Sequence, residues 1–561
     1  MRTILNFKNE SIYLLLITLL SAIILIPFTG NVHLFDWDEI NFAECAREMI
    51  VTNSYHTVLL NYQPFWEKPP LFIWMQVISM KIFGINEFAA RFPNILNGIF
   101  TLITLYYFGK KWYSKTFGIV WAVIHLGTPL PHLYFRSGII DPWYNLFGFI
   151  AFVGIIEWIQ NYSLKWAVIA GISLGLAVLT KGPAMVLIVF LSTIFLIFKN
   201  FSCLNKNSVF VLILFSIVFV FIGSSWFIYE CILGNKEIIS AFIDYQIRLF
   251  QTEDSGHSGF FLYHFVVLLI GCFPSSIAAL GYFSKNIKKD IYSFSMMILL
   301  LVVLILFSIV KTKIVHYSSL SYYSISFLAT YVIVQMDKFQ QWQKYLHFIL
   351  AFIIGLVLIL ASTIEYWKVF VIPYLEATDK FAAENLKVNV KWYNYEFLLG
   401  IALWLISYWY LFKKKFSIQT HLSFYLIMIM WICATINSFV GKVEQYTQAS
   451  AIHFFQYCGE KNYSVDTYGY KSYAYLFYGN RKPLNEIEKQ EVERYWENLQ
   501  NAGYEKIFSY NLAYLNWLMY DDNKYPVYIV SKIQDEENIL KTGRFKRLYS
   551  KGGYVFFMKQ R

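Results

Sequence analysis

The sequence predicts a mainly α-helical, polytopic membrane protein with about thirteen transmembrane helices and a small extracytoplasmic α/β domain at its C-terminal end. Three observations carry that reading. Of the 561 residues, 57% are hydrophobic and only 15% charged, with a mean hydropathy of +0.46, more apolar than a water-soluble domain. Apolar runs of roughly 17 to 25 residues, long enough to cross about 30 Å of hydrocarbon, recur from Ser11 to about Val440 and then stop. Short loops between the runs alternate between visibly basic and basic-poor.

The runs lie near residues 11–30, 87–108, 117–134, 140–159, 164–180, 183–198, 208–230, 260–282, 291–310, 317–336, 346–366, 395–412 and 421–440. The first has no small-x-small cleavage site after Pro27 and reads as an uncleaved anchor, not a secretory signal. If every run crosses, Lys110, Lys111 and Lys115, then Lys199 and Lys206, then Lys285, Lys288 and Lys289, then Lys338 and Lys344, then Lys413 to Lys415 share one side, the cytoplasm. Arg2 and Lys8 put the N-terminus there too. An odd number of crossings leaves residues 441–561 outside, as a soluble periplasmic unit on a transmembrane domain of residues 1–440. The net charge of +11 is explained by these anchors, and no nucleic-acid-binding motif accompanies it. Six cysteines without a C-x-x-C indicate neither a disulfide framework nor a thiolate metal site.

The first outer loop, residues 31–86, is too long for a connector. From Glu39, the residues Phe42, Ala43, Ala46, Met49 and Ile50 recur at helical steps, with Asn41, Glu44, Arg47 and Glu48 between them, so an amphipathic helix on the membrane surface is expected. A second helix is expected from Pro69-Pro70 through Trp74, Val77 and Ile78 toward Gly84. In the tail, helices are expected at 444–459, 484–503 and 511–519 and β-rich stretches at 463–469, 472–479, 525–532 and 545–559. No Gly-rich phosphate loop or nucleophile elbow appears there.

The segment Phe35-Asp36-Trp37-Asp38-Glu39 crowds three carboxylates at the mouth of the first surface helix. Asp36 with Glu39 fits a capping box; alternatively Asp38 offers a base toward an incoming nucleophile at the water–membrane boundary. Trp66-Glu67-Lys68-Pro69-Pro70 sets a carboxylate and an ammonium before a proline-fixed helix start. They read either as an exposed ion pair or, for Lys68, as a point charge for a phosphate. Arg136 and Asp141 bracket the fourth run. Lys181 follows the fifth, in Leu179-Thr180-Lys181-Gly182-Pro183, and Lys311 and Lys313 follow the ninth, beside His316 and Tyr317. Singly these cations read as side chains snorkelling to headgroups. Together with Lys68 they put five positive groups on the outer face, where something anionic is their natural partner. The loop before the eighth run adds Arg248, Glu253, Asp254 and His257; the histidine is solvated, a hydrogen-bond donor, or a ligand shared with Glu67 if a divalent metal binds.

Taken in order, Asp38-Glu39 with Ala43-Glu44 and Ala46-Arg47-Glu48-Met49, Glu67-Lys68-Pro69-Pro70-Leu71, Asn86-Glu87-Phe88-Ala89-Ala90-Arg91, Arg136 with Asp141-Pro142, and Leu179 to Pro183 resemble the bacterial 4-amino-4-deoxy-L-arabinose (lipid A) transferase-like family, related to protein O-mannosyltransferases. The likeness covers about residues 10 to 320. It implies a C-type membrane glycosyltransferase fold in the bacterial inner membrane, an undecaprenyl-phosphate sugar donor and inversion at the anomeric carbon. It also implies Asp38 as the key acid and Asp141 as a second acidic position. Glu67 and Lys68 would line the site, Lys181 would belong to the donor-phosphate pocket and His257 would lie nearby. Glu39, Arg136, Arg248, Lys311, Lys313 and Tyr317 complete the candidate substrate-binding set. Where aminoarabinose enzymes commonly carry Arg-Tyr after the acidic pair, this chain has Asn41-Phe42, which leaves the acceptor open among lipid A, another glycan, another lipid and a protein. The expected chemistry is a single inverting displacement that requires no cofactor, although it accommodates a divalent metal. A transporter or flippase of lipid-linked sugars is the competing class, and a scaffold that does not need Asp38 is a third.

Overall fold

The computed structural model describes residues 10–199, 206–251, 259–336, 339–413, 417–504, 506–523 and 525–560. Among them, six helices are long and apolar enough to cross a membrane: Glu87–Trp112, Asp141–Asn161, Val209–Ile232, Ile291–Ile309, Gln341–Ser362 and Ile418–Thr447. Shorter apolar helices include Glu10–Leu25, Lys115–Leu126, Leu164–Thr180 and Phe397–Leu411. Local chemistry fixes several starts: the side chains of Asn86 and Ser114 accept N–H groups of Ala89 and Phe117 as N-caps, and Asp290 with Ser293 forms a capping box. The helices Glu87–Trp112 and Lys115–Leu126 meet at Gly109 and Gly118. A Cβ on Gly118 would lie 2.4 Å from the Tyr106 carbonyl oxygen, so only glycine permits that approach. The main core joins Trp121, Phe149, Tyr323 and Phe327 in edge and stacked ring contacts.

Two apolar runs are not straight spans. The run at 260–282 folds as Tyr263–Gly271 and Ser275–Phe283, bent by 114°, with Pro274 at the break, where the missing N–H cannot continue the ladder. The run at 117–134 stops at Leu126 and resumes as Pro129–Tyr134. A hydropathy average passes through both breaks unchanged, so counting runs does not count crossings.

The first outer loop holds the helix Asp38–Thr52, a two-residue-strand hairpin of β1 (Leu59–Leu60) and β2 (Gln63–Pro64), and the helix Leu71–Phe83. The first helix departs from the expected surface helix: every residue from Glu39 to Met49 is buried, polar ones included. Its polar face packs on the C-terminal unit. Arg47 clasps Glu44 through Nε (2.7 Å) and Nη2 (2.6 Å) and donates to the Arg481 carbonyl (2.9 Å), while Glu48 accepts the Tyr62 N–H (2.7 Å). Burial, with Glu44 beside it, pushes the Glu48 carboxyl well up.

The C-terminal unit is a four-stranded sheet of β3 (Ser464–Tyr468), β4 (Val527–Lys532), β5 (Phe545–Lys551) and β6 (Tyr554–Lys559) in the order β3-β4-β6-β5. The β3–β4 pair is parallel and the other two are antiparallel. The expected stretch 545–559 is a hairpin turned at Gly552-Gly553, both with positive φ. The stretch 472–479, expected as β-rich from its aromatics, instead contains the short helix Ala474–Phe477 packed against Asp38–Thr52, a case of tertiary packing overriding propensity. The expected division at residue 441 falls inside the unbroken helix Ile418–Thr447.

Candidate active site

A cavity of about 900 Å³ opens where the first outer loop, the helix starts and the C-terminal unit meet. Its acids and bases sit at helix ends that suit their charge. Asp38 and Asp141 are the first residues of their helices, and Lys181 caps the C-terminal end of Leu164–Thr180. Lys181 Nζ donates to Asp141 Oδ1 (2.6 Å) and lies 5.0 Å from the centre of the Tyr317 ring. His316 bridges the two acids, with Nε2 3.5 Å from Asp38 Oδ2 and 3.8 Å from Asp141 Oδ2. Burial holds the imidazole below its ordinary pKa even though Asp141 and Asp38 pull it up; Lys181 pushes it down as well. The Asp38 side chain is 44% exposed and that of Asp141 only 4%, so Asp38 is the acid an incoming group can reach.

Further along the wall, Lys68 Nζ donates to the Tyr245 hydroxyl (2.6 Å) and Arg248 faces Glu67 at 3.7 Å, with the Tyr245 ring beneath both cations. Arg136 donates to Asn437 Oδ1 (3.0 Å) and to the Pro27 carbonyl, while its buried Nη1 has no hydrogen-bond partner among the described residues. The lining also includes the apolar side chains of Phe28, Ile436, Phe439, Val440 and Val443, with Arg136 bound to their chain neighbours Pro27 and Asn437. The cavity thus combines charged and apolar lining.

Residues 67–226 match the family model described as dolichyl-phosphate-mannose-protein mannosyltransferase. The undecaprenyl phosphate-alpha-4-amino-4-deoxy-L-arabinose arabinosyl transferase of Wigglesworthia glossinidia brevipalpis is 28% identical over 300 residues, covering 52% of this chain and 53% of that protein. Its namesake from Photorhabdus laumondii subsp. laumondii is 25% identical over 306 residues, 52% of this chain and 54% of that one. The crystal structure of ArnT from Cupriavidus metallidurans bound to undecaprenyl phosphate shares the fold, with a TM-score of 0.73 over 98% of each chain at 16% identity. The chain is thus similar in sequence to the aminoarabinose transferases and, over residues 67–226, to the protein mannosyltransferase family, and it has the fold of ArnT. By sequence it spans about half the length of the curated relatives it matches, whereas the likeness to ArnT extends through the C-terminal unit.

The structure brings Asp38, Glu67, Lys68, Arg136, Asp141, Lys181 and Tyr317 to one cavity, with Arg248 beside Glu67. Three expected site residues are placed otherwise. Glu39 reaches the cavity wall, but its oxygens are engaged by Arg91 (3.0 and 2.8 Å) and by the N–H groups of Phe35 and Gly138. Burial alone would raise its carboxyl; Arg91 and those N–H groups outweigh it and hold the carboxyl below its ordinary range. It braces the loop that carries Asp38. Lys313 is buried away from the cavity wall and donates to the carbonyls of Phe307, Ser308 and Val310, capping Ile291–Ile309. Lys311 is exposed and likewise absent from that wall. His257 lies outside the described residues. Among the described residues no three His, Cys, Asp or Glu side chains converge as metal ligands, and Glu67 is oriented toward Arg248. Tyr245, Lys471 and Tyr473 also line the cavity; no local pattern in the sequence marks them. His316 stood beside the marked lysines, but nothing in its spacing tied it to Asp38.

Asp36 also lines the cavity and accepts the Tyr473 N–H at 3.1 Å. Burial pushes its carboxyl up to about 6, against hydrogen bonds from Ser472 and Tyr473 and the Lys471 charge, which lower it. The folded chain therefore holds this proton more tightly than the unfolded one. The group favours folding below its ordinary pKa of 3.8, and that contribution is lost as pH rises through about 6. Asp36→Asn, which keeps an oxygen for Tyr473, is expected to gain Tm relative to the wild type between pH 4 and 6 and to hold a gain of about 1–3 °C above that. Melting curves in detergent across pH 4–8 check this; a gap that does not vary with pH refutes the burial of a carboxylate here.

Proposed function

We propose that the chain is an inverting glycosyltransferase of the bacterial inner membrane. It moves a sugar from a polyprenyl phosphate, undecaprenyl phosphate in bacteria, to a cell-envelope acceptor such as lipid A, another glycan or a protein. Its N-terminus lies in the cytoplasm and its cavity and C-terminal unit face the periplasm. The observation that carries the reading is the cavity itself, which is lined both by Asp38, His316, Asp141 and Lys181 and by the apolar Phe28, Ile436, Phe439, Val440 and Val443. A prenyl phosphate likewise joins a charged headgroup to an apolar tail. The related ArnT structure is described as bound to undecaprenyl phosphate, which supports the donor class.

The acceptor oxygen attacks the anomeric carbon opposite the phosphate. A new carbon–oxygen bond forms, the bond from that carbon to the phosphate oxygen breaks, and the phosphate leaves with the electron pair. Asp38 orients an acceptor hydroxyl and takes its proton; an ionised acceptor phosphate brings no proton to take. Lys181, Lys68 and Arg136 stabilise charge gathering on the departing polyprenyl phosphate, and Asp141 with Tyr317 holds Lys181 in place. No nucleotide enters the reaction.

Purified protein is expected to release undecaprenyl phosphate from an undecaprenyl-phosphate-linked aminoarabinose donor and to add the sugar mass to a component of an envelope extract, followed by mass spectrometry. Absence of any sugar transfer from lipid-phosphate donors, with the protein folded, overturns the reading.

A further inference from the structure

We infer that the C-terminal unit is part of the reacting site, because it is the mould in which the strand carrying Asp38 is set, and that Gln448 is the positioning residue that fixes this strand. The inference rests on the reading of Asp38 as the reacting carboxylate.

Residues 33–37 have no regular secondary structure of their own to hold them, yet they deliver Asp38 to the cavity. Glu39 takes the Phe35 N–H and Arg91 the His33 carbonyl; the remaining side-chain contacts to this segment come from the far end of the chain. Gln448 binds both sides of the strand: its Oε1 accepts the Asp36 N–H (3.2 Å) and its Nε2 donates to the Leu34 carbonyl (2.8 Å). One amide side chain thereby replaces a neighbouring β-strand, a pairing that a backbone without a partner needs. On either side the same unit repeats the pattern. The Leu34 N–H donates to the Tyr478 hydroxyl (2.7 Å), and His33 Nδ1 lies 3.0 Å from Glu444 Oε1. Beyond Gln448, Asp36 accepts the Tyr473 N–H (3.1 Å) and the Trp37 indole N–H donates to the Lys471 carbonyl (3.0 Å), with the Lys471 ammonium 4.8 Å over the same ring.

Asp38 follows directly. Its 3.5 Å separation from His316 depends on where this strand ends, and a misplacement of about 1 Å at a reacting group costs on the order of 10²-fold in rate. Gln448 does not itself line the cavity, and its two hydrogen bonds go to the backbone of Leu34 and Asp36, not to a side-chain carboxylate or cation of the wall. Its proposed effect on the reaction is through the position of Asp38.

The test uses the full chain in detergent with Gln448→Ala. Sugar transfer is expected to fall about tenfold in kcat, a partial form of that misplacement. Affinity for undecaprenyl phosphate should stay within about twofold, because Lys181, Lys68 and Arg136 are untouched. In an Asp38→Asn background the same substitution should have no further effect on kcat, since both changes act on one group. Backbone amide exchange at residues 33–41 should quicken by about tenfold in Gln448→Ala, while residues 141–161 keep their wild-type protection. Unchanged exchange at 33–41, or an equal further loss of kcat on Asp38→Asn, overturns the inference. Should the wild type transfer no sugar at all, the proposed function fails, and amide exchange alone then decides whether Gln448 sets the strand.

Discussion

Asp38→Asn is expected to lower sugar transfer by about 10²- to 10⁴-fold, the range by which a positioned general base accelerates a reaction. The amide keeps the shape of the carboxylate and its place near His316, but it cannot take a proton. The loss should fall on kcat, because the proposed mechanism assigns the donor's phosphate to Lys181, Lys68 and Arg136, and affinity for undecaprenyl phosphate should change little. Turnover of wild type and variant with one donor, beside direct measurement of lipid binding, separates the two. A loss below tenfold removes Asp38 as the proton acceptor.

Lys181→Ala should damage both chemistry and fold. Lys181 and Asp141 form a pair of which the acid is 4% exposed and the lysine 19%. Removing the ammonium strands a buried carboxylate, a change worth about 3–5 kcal/mol. Transfer should fall by about 10²- to 10³-fold, as when one stabiliser of transition-state charge is removed, and Tm should drop. Asp141→Asn added to Lys181→Ala should restore most of the Tm, since no charge is then left unpaired, while transfer stays low. If the double variant melts as low as the single one, the ion pair is not what Lys181 contributes to stability. If transfer returns with Tm, Lys181 has no part in the chemistry.

How much of this was legible in the sequence follows from the range of each interaction. Asp38, Lys68, Asp141 and Lys181 stand out because a charge beside a long apolar run is costly and so needs a reason, and all four line one cavity. The same argument flags Lys313, since a lysine that caps a helix and a lysine that meets a phosphate have the same spacing from the run. Only the three carbonyls around its ammonium distinguish them. Glu39 and Asp38 are neighbours in a pattern of acids, and nothing local says that one is bound by Arg91 while the other faces open space. The helix Asp38–Thr52 was legible as a helix but not as one buried all round, because its polar face meets Arg481, more than 400 residues away. Gln448, Lys471 and Tyr473 lie in stretches with no charge anomaly or motif, and their roles exist only through the tertiary fold.

The helix Ile418–Thr447 has 30 residues, about 45 Å at 1.5 Å per residue. It is one rod, with Ile436, Phe439, Val440 and Val443 in its C-terminal half and Gln448 at its tip. The stem that supplies apolar lining to the cavity therefore also carries the bracket that steadies its acid. A protein engineer who severed the chain after Val440, hoping to free a compact membrane core from an ornamental cap, would cut that rod and leave Asp38 on a loose tether.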